Sequence, residues 1–318
     1  EKAVAHCDLL VIGAGPAGLM AALAAGRTGA RVIIVDEDER FGGRLLSEAD
    51  RLDGLAAPAW VDGIAAELGS LPETRLLPRT TLFGIYDGGV HGAVERVADQ
   101  RDAAPAHAPR QRMWRIHARR TILATGAIER PMVFSGNDRP GVMLAGAARS
   151  YLTRYAVKPA EASVILTSSD DGWRTLDALV AAKTPPVAII DSRETIDPAL
   201  VQAAKSAGIP LHTGARIVAA HGRDLARISI RTASGAEQKL ACDGLFVANG
   251  WNPNLALTSH LGDRPVYDEA IAAFAPGRTP PGMAVAGAAA GRFSLEQALT
   301  LVEEGKADAA AVNNYYGE

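Results

Sequence analysis

Cysteine is nearly absent from this 318-residue chain: Cys7 and Cys242 lie far apart and form no CxxC pair. A disulfide framework, a cysteine-ligated metal centre and a dithiol relay are thereby excluded, and both thiols are expected to be buried small hydrophobes in a reducing cytoplasm. An excess of charge of one sign is also missing. The 33 Lys+Arg stand against 36 Asp+Glu, a net charge of −3, which argues against a nucleic-acid-binding domain with a dominant basic face. Long apolar runs are lacking too. The longest uncharged stretch, Leu9 to Gly26, is interrupted by Gly13, Gly15, Pro16 and Gly18 and follows Asp8 instead of a basic cluster, so it does not read as a membrane span. No secretory or transit signal is evident. The seven histidines show no paired spacing with each other or with carboxylates; no metal site, Ser-His-Asp set or catalytic carboxylate pair is assigned. Aromatic residues are scarce at 5%.

What is present suits an α/β protein of about two domains. Hydrophobic residues make up 48% of the chain, enough for a core, and 32 glycines with abundant alanine imply small side chains packed around tight turns. Leu9–Ile12 reads as a buried strand, Pro16–Arg27 as a helix and Arg31–Val35 as a second strand, together a right-handed βαβ unit. A Gly-containing loop Phe41–Leu46, a helix Pro58–Leu68 and short strands Arg75–Leu77 and Thr80–Tyr86 follow. Asp87-Gly88-Gly89 turns into His91–Val97. Asp99–Gln111 reads as a surface loop, and Met113–His117 and Thr121–Gly126 as two strands. Later come a helix Ala145–Tyr155, strand Ala162–Thr167, helix Gly172–Ala182, strand Val187–Asp191, helix Pro198–Ala207, and strands at Arg216–Ala219, Ile228–Thr232, Leu245–Ala248 and Met283–Ala286. A helix from Ser294 to about Asn313 closes the chain. This pattern predicts two Rossmann-like βαβ domains, the second inserted in the first: residues 1–130 with 250–318, and 131–249.

The motif that carries chemistry is Gly13-Ala14-Gly15-Pro16-Ala17-Gly18, a G-x-G-x-x-G that follows a strand and opens a helix. Gly13 permits the turn, Gly15 lets a pyrophosphate approach the backbone, and Gly18 lets the helix pack on the sheet. The helix N-terminus at Pro16 and Ala17 offers N–H groups and partial positive charge to phosphates. Asp36, with Glu37 beside it, ends the next strand and is placed to accept ribose hydroxyls; it would repel a 2′-phosphate, which favours NAD, FAD or ADP over NADP. Gly43 and Arg44 follow in a loop within reach of phosphate or ribose. In the second βαβ unit the matching turn reads Thr167-Ser-Ser-Asp-Asp-Gly-Trp173. Carboxylates at Asp170 and Asp171 and the bulk of Trp173 predict a fold retained without its ligand.

Residues 124–131 (ATGAIERP) and 137–148 (NDRPGVMLAGAA) carry a family resemblance. They resemble the nucleotide-binding part of the α subunit of heterotetrameric sarcosine oxidase and of related dye-linked proline, opine and hydrogen-cyanide-forming dehydrogenases. The likeness covers essentially all 318 residues; GAGPAG and ATG alone indicate only the wider class of flavoproteins of pyridine nucleotide-disulfide reductase type. It implies a component of an amine-oxidising enzyme whose partner β subunit carries FAD and oxidises a secondary amine. An FMN would sit at the subunit interface and an NAD on the α subunit. The family's α subunit is longer, with ferredoxin-like and folate-binding parts, so the chain is expected to be its middle segment. By the wider class, Thr81 and Leu82 offer backbone contacts to adenine, and Ala124, Thr125, Gly126 and Gly287 line the cofactor. FAD-binding members end a late strand with Gly-Asp; Gly287-Ala288 stands here, so NAD is the first expectation and FAD the alternative. A self-contained NADH-dependent flavin reductase would need a redox relay and a second glycine turn, both missing. A nucleotide-stabilised scaffold without chemistry is the third expectation.

Overall fold

The computed structural model describes residues 1–262 and 264–299. Residues 295–299 are helical; the remainder of the expected closing helix lies outside the described residues. The chain forms two compact units. Glu1–Leu45, Asp50–Ile128 and the described residues from Asn252 on make the first, and Leu46–Ala49 with Glu129–Trp251 the second. Leu46–Ala49, expected with the first domain, goes with the second, where Glu48 pairs with Arg149 and Arg174. No helix among the described residues is long and apolar enough to cross a membrane.

In the first unit, β1 (Lys2–Ile12), α1 (Pro16–Gly26) and β2 (Val32–Val35) form the expected βαβ unit. It continues through α2 (Ala57–Ser70), β3 (Thr74–Leu77), β4 (Thr80–Tyr86), β5 (Val90–Arg96) and β6 (Gln111–Leu123). The sheet order is β3-β2-β1-β6-β5-β4, and Met283–Val285 adds in parallel beside the C-terminal part of β6. Two readings need correction. β1 begins seven residues before Leu9, and β6 is one strand instead of two. Lys2–Asp8 and Ala118–Arg120 look unlike buried strands, yet both belong to one continuous parallel pair, Lys2–Cys7 running beside Met113–Ala118 and Leu9 beside Arg120. One face of this extension is buried and the other is open, so alternation hides the strand from a reading based on apolar runs.

Small residues set the packing of α1. Ala17, Gly18, Ala22 and Gly26 are buried, and Leu19 and Leu23, essentially inaccessible, each contribute roughly 1.5–3 kcal/mol by burial. The core on one side of the sheet joins these to Val32, Ile34, Trp60, Val61 and Leu68; the other side holds Leu10, Ile12, Ile33, Val35, Trp114 and Ile116.

The second unit is a separate parallel sheet of β7 (Val142–Leu144), β8 (Ser163–Thr167), β9 (Ala188–Asp191), β10 (Leu211–Thr213) and a strand Gly244–Ala248, which lies between β7 and β8. Helices α3 (Ala145–Arg149), α4 (Asp171–Ala181) and α5 (Pro198–Ser206) accompany it. Arg216–His221, Arg227–Arg231 and Glu237–Ala241 make an antiparallel three-stranded sheet. The third of these strands has no apolar alternation and follows from pairing alone. The expected helix Ala145–Tyr155 is α-helical for only its first five residues and becomes π-helical over Ser150–Arg154. Ser150 and Thr153 donate their hydroxyls to the carbonyls of Gly146 and Arg149, four residues back, a pattern that loosens an α-helical ladder.

Candidate nucleotide-binding site

The carboxyl ends of β1, β2, β6 and Met283–Val285 meet at one edge of the first unit. Ile12 pairs with both Val35 and Leu123, and Val285 pairs with Leu123. Ligands of open α/β sheets bind at such an edge. The glycines of the turn have distinct reasons to be there. Gly13 has φ +97°, and a Cβ on it would run into the carbonyl oxygen of Ala124. A Cβ on Gly18 would fall on the carbonyl of Gly13. Gly15 differs: it has negative φ, and a Cβ there would meet nothing within 4 Å. The fold needs glycine at 13 and 18, while at 15 the missing side chain leaves open space over the start of α1. Pro16 opens that helix, and no side chain caps its first turn, so its N–H groups face this space.

Asp36 is built into the turn. Its two carboxylate oxygens accept the N–H groups of Ala14 at 2.6 Å and Asp38 at 2.9 Å. Burial pushes its carboxyl above the usual range, and the two N–H donors oppose that shift. The expected ribose acceptor thus also holds the glycine turn in shape. Glu37 is exposed, and its carbonyl accepts from Arg96. Gly42 donates to the Ala14 carbonyl at 2.8 Å, so the Gly42–Gly43 loop folds back onto the turn; a Cβ on Gly43 would stand 3.2 Å from Gly15 Cα. The doubled glycine marks this loop in the sequence, but the bond from Gly42 to the turn appears only in the structure. Arg44 donates to the Phe293 carbonyl at 3.1 Å.

Ala124 is buried, with its N–H on the Ile12 carbonyl. Thr125 and Gly126 tie the end of β6 to Asn254, the hydroxyl donating to the Asn254 carbonyl at 2.7 Å and the Gly126 carbonyl accepting the Asn254 N–H. Gly287, at φ +63°, is buried where a Cβ would stand 2.7 Å from that of Ala17. The single turn Gly287–Ala290 contains no carboxylate. Of the two residues expected at adenine, Thr81 and Leu82 differ. The Arg96 N–H to Arg79 carbonyl bond sets the phase of the β4–β5 ladder. Antiparallel alternation then pairs Thr81 with Val94 and turns the Leu82 main chain to the open edge of β4.

The second unit is arranged differently at the matching place. Asp191, at the end of β9 as Asp36 is at the end of β2, is fully buried and accepts Trp173 Nε1 at 3.0 Å and Arg193 at 2.8 and 3.0 Å. Arg193 also holds Asp170. Trp173 therefore closes against the strand-end carboxylate, and Asp171 turns instead to Arg149. Arg130 and Arg139 bond within this unit to the carbonyls of Asn249, Ala220 and Gly222.

A buried charge cluster lies in the same unit. Arg149, 2% exposed, contacts Asp171 at 2.9 Å and Glu48 at 3.4 Å, and Glu48 also holds Arg174 at 2.9 Å. Glu129 accepts the Gly146 N–H at 2.8 Å, and burial pushes its carboxyl up to about 7. The folded state then keeps a proton that the unfolded chain loses near 4.5. Stability of this unit is expected to fall by about 3 kcal/mol as pH rises from 4.5 to 7, and then to level off. Urea unfolding across pH 5–8 measures this, and Glu129→Gln should flatten the curve.

Cys7 and Cys242 are buried, and burial pushes their thiols up to about 12 and about 11. The histidines are not all unpaired: His6 and His117 stack at 4.8 Å because parallel pairing sets β1 and β6 side by side.

This is the fold of the FAD-dependent oxidoreductase class, and the family model described as FAD dependent oxidoreductase matches residues 8–75, the stretch that holds the glycine turn. The fold is shared with L-proline dehydrogenase of P. horikoshii, at TM-score 0.71 and 20% identity, over 97% of this chain and 57% of that one. Thioredoxin reductase of Lactococcus lactis superposes with TM-score 0.72 and 16% identity, over 96% and 98%. By sequence the chain is similar to part of the sarcosine oxidase α subunits: it is 45% identical to the α subunit of Rhizobium meliloti (strain 1021) over 98% of its own length. It spans 31% of that relative.

Proposed function

We propose that the chain is the nucleotide-binding region of the α subunit of a flavin-dependent amine oxidoreductase of sarcosine oxidase type, with NAD on the Gly13–Gly18 turn. In this reading a partner β subunit carries out oxidative demethylation of a secondary amine, with an FMN at the interface, in the cytoplasm. The observation that carries it is the open space at Gly15 above an uncapped helix start, next to a Gly287–Ala290 turn without a carboxylate. The helix N–H groups would hold the pyrophosphate, Asp36 the ribose through its remaining lone pairs, and the Leu82 main chain the adenine. A bound dinucleotide supplies adenine, ribose and phosphate contacts that brace the turn, and as NAD or FAD it also brings a redox-active ring. Ala288 offers that ring's side only a methyl group, where an FAD ribityl chain would want an acceptor.

FAD at the same turn is the second reading, favoured by the family model over residues 8–75. An absorption spectrum of the purified protein, followed by denaturation and mass identification of the released nucleotide, separates them. NAD without flavin absorbance is the expected result. Released FAD overturns the NAD assignment and revives a flavin reductase, whereas a chain that neither releases nor takes up a dinucleotide overturns both.

A further inference from the structure

The half of the first sheet made by β1, β6, β5 and β4 has one buried face and one open one. The register aligns three rows across the open face: Lys2, Met113, Val94 and Thr81; Val4, Arg115, Gly92 and Gly84; His6, His117, Val90 and Tyr86. Two of the glycines serve as seats for rings. A Cβ on Gly92 would stand 2.7 Å from the Phe83 ring, and one on Gly84 2.7 Å from the Tyr86 hydroxyl. Val4, Phe83, Tyr86 and Met113 remain 43–60% exposed. Exposed aromatic, methionine and aliphatic side chains grouped on a flat sheet mark an interaction surface.

The charges on this face say what kind of partner fits. The three rows hold Lys2, Arg115 and two histidines and no Asp or Glu, on a chain whose net charge is −3. At the end of the His6–His117 row lies a cavity of about 550 Å³ lined by those two histidines, Arg31, Arg119, Gly89 and Pro281. Its neighbouring carboxylate, Asp8, is already paired to Arg31 at 2.8 Å and lies 3.6 Å from Arg119. A second copy placed face to face would set like charges against each other, which disfavours self-association through this surface. We propose that the open face of β1-β6-β5-β4 docks a protein partner whose surface is apolar at its centre and acidic at its rim, one of its carboxylates entering the His6–His117–Arg119 cavity. The inference rests on the face alone and stands or falls independently of the amine-oxidising reading.

The test is hydroxyl-radical footprinting of the full-length chain, free and in the complex purified through a tag on it. Met113, Tyr86 and Phe83 should react readily in the free chain and about fivefold more slowly in the complex, as half-exposed side chains do when buried at an interface. Acidic residues of the partner should be protected in the same sample. The pair Lys2→Glu with Arg115→Glu, at unchanged thermal midpoint, should weaken the complex about tenfold or more. Equal reactivity in both samples overturns the proposal. So does protection that grows with the concentration of the free chain, which means a second copy. Protection by phosphatidylserine vesicles or single-stranded RNA equal to that in the complex would overturn it in favour of a membrane or nucleic acid. Because footprinting of the unaltered chain needs no variant, a charge pair that fails to fold does not obscure the outcome.

Discussion

Gly18→Ala is expected to unfold the first unit, while Gly15→Ala leaves it folded and loses the nucleotide. The two positions belong to one motif and differ in what surrounds them. A methyl at 18 would coincide with the Gly13 carbonyl and press on Ala124, so α1 must lift from the sheet. That movement withdraws Leu19, Ala22 and Leu23 from the core they fill. Overpacking against backbone, which cannot rotate away, combined with this lost burial should cost about 3 kcal/mol or more. Gly13→Ala should behave alike, since φ +97° adds backbone strain to its clash with the Ala124 carbonyl. At 15 the methyl meets no protein atom and the backbone angles suit any residue. It occupies the space the phosphates would use, so affinity should drop about tenfold or more, some 1.4 kcal/mol, at an unchanged thermal midpoint. Calorimetry paired with nucleotide titration checks both. A Gly15→Ala protein that binds as well as the parent would remove the phosphate role from this turn.

Arg149→Met should be the most damaging single change in the second unit. Its guanidinium donates to the Asp171 carbonyl and carboxylate and to the Thr175 hydroxyl, and faces Glu48. Removing it leaves Glu48, Asp171 and Glu129 with Arg174 as the nearby cation of the cluster. Breaking a buried pair by deleting one partner costs about 3–5 kcal/mol, because the remaining charge stays desolvated. The variant should also change the pH response. Arg149 lowers the Glu129 carboxyl, so its loss should move the stability step above pH 7. Chemical unfolding at several pH values measures both effects. A small loss of stability with an unmoved step would mean that Glu129 and Arg149 are not coupled.

The first βαβ unit was legible because three local signals agree there. A β-branched strand, a glycine turn and an alanine-rich helix fall in order, and Asp36 ends the next strand. The second unit was legible from the same alternation, and the substituted turn Thr167–Trp173 already signalled a different use. What Trp173 and Asp191 do to each other was not legible. They are 18 residues apart, and their bond depends on how α4 lies along the sheet. The Glu48–Arg149–Glu129 cluster was invisible for the same reason: Glu48 is about 80–100 residues before the other two, and nothing in the stretches around Glu129 and Arg149 marks them as partners of a distant carboxylate. The π-helical segment after Arg149 also escaped, because hydroxyl groups bonding back to carbonyls leave no trace in apolar spacing.

Two features of the candidate site illustrate the same division. The G-x-G-x-x-G spacing already suggested separate tasks for the three glycines, and the backbone adds which atoms exclude a side chain: the Ala124 carbonyl at Gly13, the Gly13 carbonyl at Gly18, and nothing at Gly15. Asp36 was placed at the ribose by its position, whereas its bonds to Ala14 and Asp38 appear only once the turn is built. By itself the sequence determined the class of fold, the place of the glycine turn and the family resemblance, because each is written in short-range order or in similarity along the chain. The tertiary structure decided which face of the long strands β1 and β6 is open, which glycines the fold cannot replace, and which buried charges meet. Those depend on strand pairing and on desolvation, and neither acts until distant segments have come together.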